Sequence, residues 1–474
     1  SNFVDFCKYL DPSYALPKEL GPLITELYRE TRVKNKSDIK GQKVVIYLDH
    51  YSDPSDGHSL MGAVMGWIDA EWNYQSRVVA VDPVDGPTHN AIQTKRFVDR
   101  LISEYEPSEV IALVSDQASV MKRAAKDANL YSFFCYSHGV HNTTTNAITR
   151  YTNGADLDRK CRATANHFHK SGKDTASIAR YQREMGMSET KIIQCVRTRW
   201  NSTLEMKRSI LNNLAPINAV LDDRNLEAFS DEEAIQLRSE VNILSCFEEA
   251  TKKMSMEAAT LGDAVLYTRA IKMTLLDFTD TAISSLRDCL MAECEKRLDP
   301  ILEDEFVQEA AFLDPRVSYR SNVYSNTKWS TIEDRISKKL ATEGITLLDE
   351  PPTKRKRVSI VDRFLADAEG DISDTEEAKS LSAEITTFKA DVISRRPKSD
   401  ENILLWWRKK AEVYPRLAEI AKTVLSVCPS SVSVERLFSR VGLVSKNRLR
   451  CRLKTVTLQQ LGYISCNLKN NELR

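Results

Sequence analysis

The hydrophobic pattern changes character along the chain. In residues 1–40 the apolar positions Leu20, Ile24, Leu27 and Tyr28 recur at helical spacing after a Leu16-Pro17 start signal. Lys43–Leu48 is then a short apolar run closed by Asp49, the pattern of a buried strand. Met61–Ala70 and Arg77–Val84 read as two further strands. The intervening Ser52-Asp53-Pro54-Ser55-Asp56-Gly57 and Glu71-Trp72-Asn73 are turn-like, which predicts an antiparallel meander. Residues 89–105 place Ala91, Val98, Leu101, Ile102 and Tyr105 on one helical face. Val110–Val114 is a fourth strand, closed by Ser115-Asp116. A helix over residues 117–127 and a fifth strand over 131–135 complete a mixed α/β layer.

After residue 137 the strand alternation disappears. Helical spacing dominates to about residue 415, as in Leu237–Cys246, Ala264–Phe278 and Ala282–Leu298, and this stretch is long enough for an all-α domain. Cys428-Pro429-Ser430-Ser431 marks a break and a new helix start, after which comes Glu435. The chain is therefore expected to divide into a helical segment (1–40), a first α/β part (41–137), an all-α region (138–415) and a C-terminal part (416–474).

Composition changes this picture little. The 474 residues exceed one small core. Lys+Arg and Asp+Glu are balanced at 67 each, so any nucleic-acid surface must come from local charge segregation. Ten scattered cysteines form no CxxC pair, so the sequence does not indicate a zinc ribbon, and a reducing compartment is the simpler reading. No apolar run is long enough to span a bilayer, so no membrane partner is expected. The opening residues carry neither an initiator Met nor a signal peptide, and read as the later part of a longer protein. Pro351–Arg357 is basic and is followed by an acidic stretch, Asp367–Glu377. This reads first as a solvated loop, and also suits a nuclear-import signal or a DNA contact.

Candidate chemistry begins with Asp49 and Asp116, each at the C-terminal end of an apolar strand. If those strands are neighbours, two carboxylates meet at one sheet edge. Such anions repel unless a cation neutralises them, and hard oxygen ligands suit Mg²⁺ or Mn²⁺. For any single Asp, a turn role is the commoner explanation. Glu435 opens a helix, where the helix dipole favours an acid without any function. From Arg436 to Lys454 the chain has seven basic residues and no acidic one. Arg436, Arg440, Lys446 and Arg448 are therefore candidates to neutralise a phosphate backbone, against the plainer reading of an exposed basic helix. Cys135, His138 and His141 have spacing reminiscent of zinc ligands, but no fourth ligand is evident.

Taken in order, several segments resemble the hAT family of DNA transposases. They are Leu10-Asp11-Pro12-Ser13-Tyr14, Tyr47-Leu48-Asp49-His50-Tyr51-Ser52, Val114-Ser115-Asp116-Gln117-Ala118-Ser119 and Cys135-Tyr136-Ser137-His138. Arg199-Trp200-Asn201-Ser202-Thr203, Phe312-Leu313-Asp314-Pro315-Arg316, Leu405-Trp406-Trp407 and the block from Pro429 to Arg450 follow. The resemblance implies an RNase H-like α/β core interrupted by a large all-α insertion. It also implies a triad of catalytic, metal-holding carboxylates carried onto Asp49, Asp116 and Glu435. The implied activity is metal-dependent cut-and-paste transposition, with a hairpin on flanking DNA and strand transfer into target DNA. Its partners would be double-stranded transposon ends, flanking and target DNA, together with further copies of the chain, in the nucleus. It places His138 near the scissile phosphate, Trp200 as a base-stacking residue, Arg199 as a phosphate contact and Arg197 as a weaker one.

Two departures stand out. Family members usually begin with a BED-type zinc finger, and no such Cys/His set is present. Many relatives carry a Trp-Thr-Ser type sequence where this chain has Asp49-His50-Tyr51-Ser52. A domesticated DNA-binding regulator without cleavage activity is the competing expectation.

Overall fold

The computed structural model describes residues 20–53, 58–84, 90–196, 200–346, 376–445 and 455–468. The chain divides into two compact units. The first comprises Ser1–Asp69, Tyr74–Cys135 and Ser430–Arg474; the second comprises Ala70–Asn73 and Tyr136–Pro429. Arg197, Arg199, Lys446, Arg448, the Pro351–Arg357 run and the Leu10–Tyr14 segment lie outside the described residues.

The first unit is built on a five-stranded sheet: β1 (Lys43–Asp53), β2 (His58–Ile68), β3 (Tyr74–Pro83), β4 (Glu109–Ser115) and β5 (Ser132–Phe134). The spatial order is β3-β2-β1-β4-β5. The first three strands form the antiparallel meander, and β4 and β5 run parallel to β1 and to each other in turn. Its helices are α1 (Leu20–Ile39), α2 (Ala91–Tyr105), α3 (Ser119–Asp127), α4 (Val432–Ser445) and α5 (Thr455–Asn467).

Period-two alternation splits β1 cleanly. Val44, Ile46 and Leu48 enter a core with Met61, Ala63 and Met65 of β2, Val98, Leu101 and Tyr105 of α2, and Met121 and Ala125 of α3. Tyr47, Asp49 and Tyr51 face the other way. Asn90 caps α2 by accepting the Gln93 N–H at 2.9 Å, and Glu106 ends it in a left-handed conformation (φ 50°).

An edge strand presents unpaired backbone groups, and here β3 is clamped. The Asn467 side chain accepts the Val78 N–H and donates to the Val78 carbonyl, both at 2.9 Å. Asn35 donates to the same carbonyl (3.2 Å) and to the Tyr463 hydroxyl (2.9 Å). Tyr105 donates to the Val79 carbonyl (2.9 Å), at the residue left without a partner by the register shift between β2 and β3. The C-terminal helix is thus stitched to the first strands of the chain by buried, satisfied polar groups.

The second unit is helical. One core gathers Tyr136, Val140, Trp200, Leu204, Phe247, Ile271 and Leu290; another gathers Leu157, Phe168, Ile178, Met206, Ile217 and Phe229. Buried charges are paired. Lys207 bridges Asp158 and Glu240, and Arg316 lies 2.6 Å from Asp314 and 2.9 Å from Asp263. Burial works against the Lys207 charge, but the Glu240 and Asp158 carboxylates outweigh it and raise its pKa. An aromatic cluster joins Phe388, Trp406, Trp407 and Tyr414. The unit boundaries fall at 135/136 and 429/430, whereas the pattern of the sequence marks 137 and 415. The helix Pro415–Val424 explains the second difference: its Leu417 N–H donates to Glu384 of the same unit at 2.8 Å.

Candidate active site

Asp49 and Asp116 come from adjacent parallel strands, but only Asp116 lies at a strand end: β1 runs on to Asp53 because Asp49–Asp53 stay paired with β2, so Asp49 is inside the strand and just beyond the part paired with β4. Tyr47 of β1 is level with Val114 of β4, so Asp49 and Asp116 follow two residues on at the same end of the sheet. Each carboxylate is anchored locally. Asp49 accepts its neighbour's N–H (His50, 2.8 Å), and Asp116 accepts the Ala118 N–H at 3.1 Å. Both side chains are half-buried.

Glu435 reaches that end of the sheet through helix packing. Gly62 is the cross-strand partner of Asp49. Directly opposed residues of an antiparallel pair project to the same face. A Cβ on Gly62 would lie 2.7 Å from Phe438, 2.9 Å from Val434 and 3.1 Å from Leu437. Helix α4 therefore covers the face from which Asp49 projects, and it crosses β2 at the level of Asp49. Tyr51, two residues beyond Asp49 on the same face, stacks on Phe438 with centroids 5.3 Å apart and ring planes at 22°. Glu435 sits in the first turn of α4, half-buried, between the sheet-facing Val434 and Leu437.

The start of α4 is tied to the strand ends as well. Cys135 donates its N–H to the Ser115 carbonyl at 2.8 Å, and its sulfur accepts the Ser431 N–H at 3.4 Å. The Ser431 carbonyl in turn accepts from Val434 and Glu435. One buried cysteine thus links the residue before Asp116, through its backbone N–H, to the turn that launches Glu435, through its sulfur. The spacing of Cys135 suits a zinc ligand, and its geometry here is that of a structural tie.

Among the described residues no group of three or more His, Cys, Asp or Glu is arranged to hold a metal ion. Asp49 projects from the sheet face that α4 covers, Asp116 follows the end of the neighbouring strand, and the three carboxylates form no ligating cluster. Carboxylate oxygens are hard donors of the kind that divalent cations such as Mg²⁺ and Mn²⁺ accept.

The other sequence candidates fall in different places. Arg436 and Arg440 are exposed on α4; Arg440 donates to the Ser465 carbonyl of α5. His138 belongs to the second unit, in the first turn of the helix Tyr136–Arg150. Trp200, also of the second unit, opens the helix Trp200–Asn212 and is only 6% exposed, packed in the core with Leu204 and Phe247. A ring so placed stacks on a base only after leaving that core. Gly62, Tyr51 and the structural role of Cys135 emerge only from the fold. A lone glycine inside the apolar run Leu60–Val64 is the one sequence signal that points to close backbone approach.

Residues 383–468 match the model of the hAT family C-terminal dimerisation region. Over 347 residues the chain is 23% identical to the human (Homo sapiens) zinc finger BED domain-containing protein 4, covering 69% of this chain and 28% of that protein. It is 20% identical to the human zinc finger BED domain-containing protein 6 over 99% of this chain and 53% of that protein. To the putative AC transposase of Zea mays it is 22% identical, over 94% of this chain and 60% of that protein. The chain thus spans about three-fifths or less of the length of these relatives. The matched region and these relatives make the chain similar to hAT transposase-like proteins. Among the described residues no helix is long and apolar enough to cross a membrane.

Proposed function

We propose that this chain is a DNA transposase with an RNase H-like core, in which Asp49, Asp116 and Glu435 direct DNA cleavage and strand transfer in a nucleus. One observation carries the reading: Asp49 of β1 and Asp116, just past the end of β4, lie at one level of two adjacent parallel strands, and the helix bearing Glu435 packs on the Asp49 face at Gly62, the cross-strand partner of Asp49. The strand order β3-β2-β1-β4-β5, interrupted after β5 by a helical unit, supports the fold assignment.

The three carboxylates would hold Mg²⁺ or Mn²⁺, which supplies Lewis acidity and lowers the pKa of a bound water. The chain's own contribution is position. Strand β1 and the end of β4 fix two of the acids, the β1–β2 surface fixes the helix of the third, and backbone donors from His50 and Ala118 orient the Asp carboxylates. Arg436 and Arg440, on the solvent side of α4, would meet phosphates beside the site. Hairpin formation on flanking DNA, with Trp200 and Arg199 acting on the distorted strand and His138 near the scissile phosphate, belongs to this reading through the family resemblance. Self-association fits the matched dimerisation region.

The test is cleavage of duplex DNA carrying the ends of the element that flanks this coding sequence, with Mg²⁺ or Mn²⁺, resolved for nicks and hairpins. Asp49→Asn, Asp116→Asn and Glu435→Gln are each expected to lower cleavage by about 10²–10³-fold, as loss of a charge-stabilising group does, while DNA binding persists. Wild-type cleavage surviving in all three variants removes the assignment. A transposase-derived DNA-binding regulator is the second reading, favoured by relatives named for a zinc finger BED domain. It predicts DNA binding with no cleavage by the wild-type chain.

A further inference from the structure

Gly62 does not owe its identity to backbone conformation, since its φ lies outside the left-handed region that favours glycine. What it provides is space. A Cβ added there would press on Phe438 Cζ at 2.7 Å and Val434 Cγ1 at 2.9 Å, both on buried side chains of α4. Phe438 cannot simply swing aside, because Tyr51 is stacked on its ring. Carbon atoms rest about 3.5–4.0 Å apart, so a methyl group at Gly62 displaces the helix or the ring by about 1 Å.

We propose that Gly62 is a positioning residue of the carboxylate site: the missing side chain opposite Asp49 lets the Glu435 helix seat at the level of Asp49. Tyr51 and Phe438 complete the socket and fix where along β1 the helix stops. The inference rests on the carboxylate reading above and deepens it. It assigns the spacing between Asp49 and Glu435 to a residue that touches neither DNA nor cation. A displacement of about 1 Å in a reacting constellation costs on the order of 10²-fold in rate.

The experiment uses the full chain and two readouts: Mn²⁺ binding by calorimetry without DNA, and cleavage of the end-bearing duplex, with DNA affinity and unfolding midpoint recorded alongside. Gly62→Ala is expected to weaken Mn²⁺ binding about tenfold or more and slow cleavage about 100-fold, with DNA affinity unchanged. Adding Phe438→Leu, which shortens the side chain that the new methyl strikes, is expected to restore both. If Gly62→Ala does not fold, Tyr51→Ala removes the stack without adding volume and is expected to weaken Mn²⁺ binding several-fold. Unchanged Mn²⁺ affinity and cleavage in Gly62→Ala, or in Tyr51→Ala in its place, overturns the proposal. So does a folded Gly62→Ala/Phe438→Leu variant that recovers neither, or a wild-type chain that binds no Mn²⁺. A wild-type chain that binds Mn²⁺ through the three carboxylates but cuts no DNA ends the cleavage reading alone, and the socket is then judged on the Mn²⁺ isotherms.

Discussion

Trp200→Ala tests whether this tryptophan acts as a core residue of the helical unit. The ring is 6% exposed among Leu204, Val241, Leu244 and Phe247 of one cluster. A buried aromatic removes roughly 200 Å² from water, and at about 25 cal/mol per Å² this sets an upper bound near 5 kcal/mol. Truncations of buried Phe and Trp cost about 3–5 kcal/mol once the residual cavity is included. At about 2 °C per kcal/mol for a unit of this size, the unfolding midpoint should fall by about 6–10 °C. Scanning calorimetry of wild type and variant measures it, and an unchanged midpoint refutes the packing argument. Trp200→Leu separates packing from stacking, because it keeps much of the apolar volume but has no aromatic face. Assayed below both transitions, Trp200→Leu should nick DNA normally and form few hairpins if the ring also stacks on a base. Normal hairpin yield in that variant leaves Trp200 with its core role alone.

Two further predictions concern buried charge. Lys207→Met leaves Glu240 buried without its cation, and should cost about 3–5 kcal/mol in a denaturant titration. Lys207→Met/Glu240→Gln should recover a large part of that loss, and a double variant no better than the single one would show that the pair is not coupled. Burial pushes the Asp174 carboxyl up, but the Arg224 guanidinium, the Ser171 hydroxyl and the His167 ring outweigh it and hold its pKa below the ordinary value. A depressed folded-state pKa contributes stability that is present above the unfolded value of about 3.9 and is lost as pH falls through the folded value. Wild type should therefore lose stability below about pH 4 more steeply than Asp174→Asn, and parallel acid limbs for the two would count against this hub.

The sheet was legible because its strands are short apolar runs with polar closures, and period two survives without knowledge of the fold. The same runs located Asp116, which follows the end of β4, but put a strand end at Asp49, where β1 in fact runs on to Asp53: the polar residues His50–Asp53 hide a continuation that only pairing with β2 reveals. The transition at 429/430 was less visible. The helix Pro415–Val424 and the helix of Glu435 have similar periodicity, and only their partners, Glu384 for one and the β1–β2 surface for the other, assign them to different units. Motif residues proved equally ambiguous by type. Asp314, Arg316 and Trp407 lie in segments that carry the family resemblance, yet here they form a buried ion pair and an indole N–H bond to the Leu313 carbonyl at 2.8 Å. A resemblance ranks positions by recurrence and does not separate a residue that holds the scaffold from one that meets DNA.

Glu435 shows why the remainder was out of reach. In the proposed site its relation to Asp49 spans more than three hundred residues, and the close approach of its helix to β2 depends on an absence, the side chain that Gly62 lacks. Periodicity records which residues seek burial; it carries no information on how closely two buried surfaces approach. That distance is set by side-chain volume on both faces at once, here Gly62 and Tyr51 against Val434, Leu437 and Phe438. The acids of such a site are conspicuous because they are charged, whereas the residues that space them are small or apolar. In this chain the spacing falls to a glycine in the middle of a strand, where the usual cost of glycine gives an independent reason to expect that close approach is what it provides.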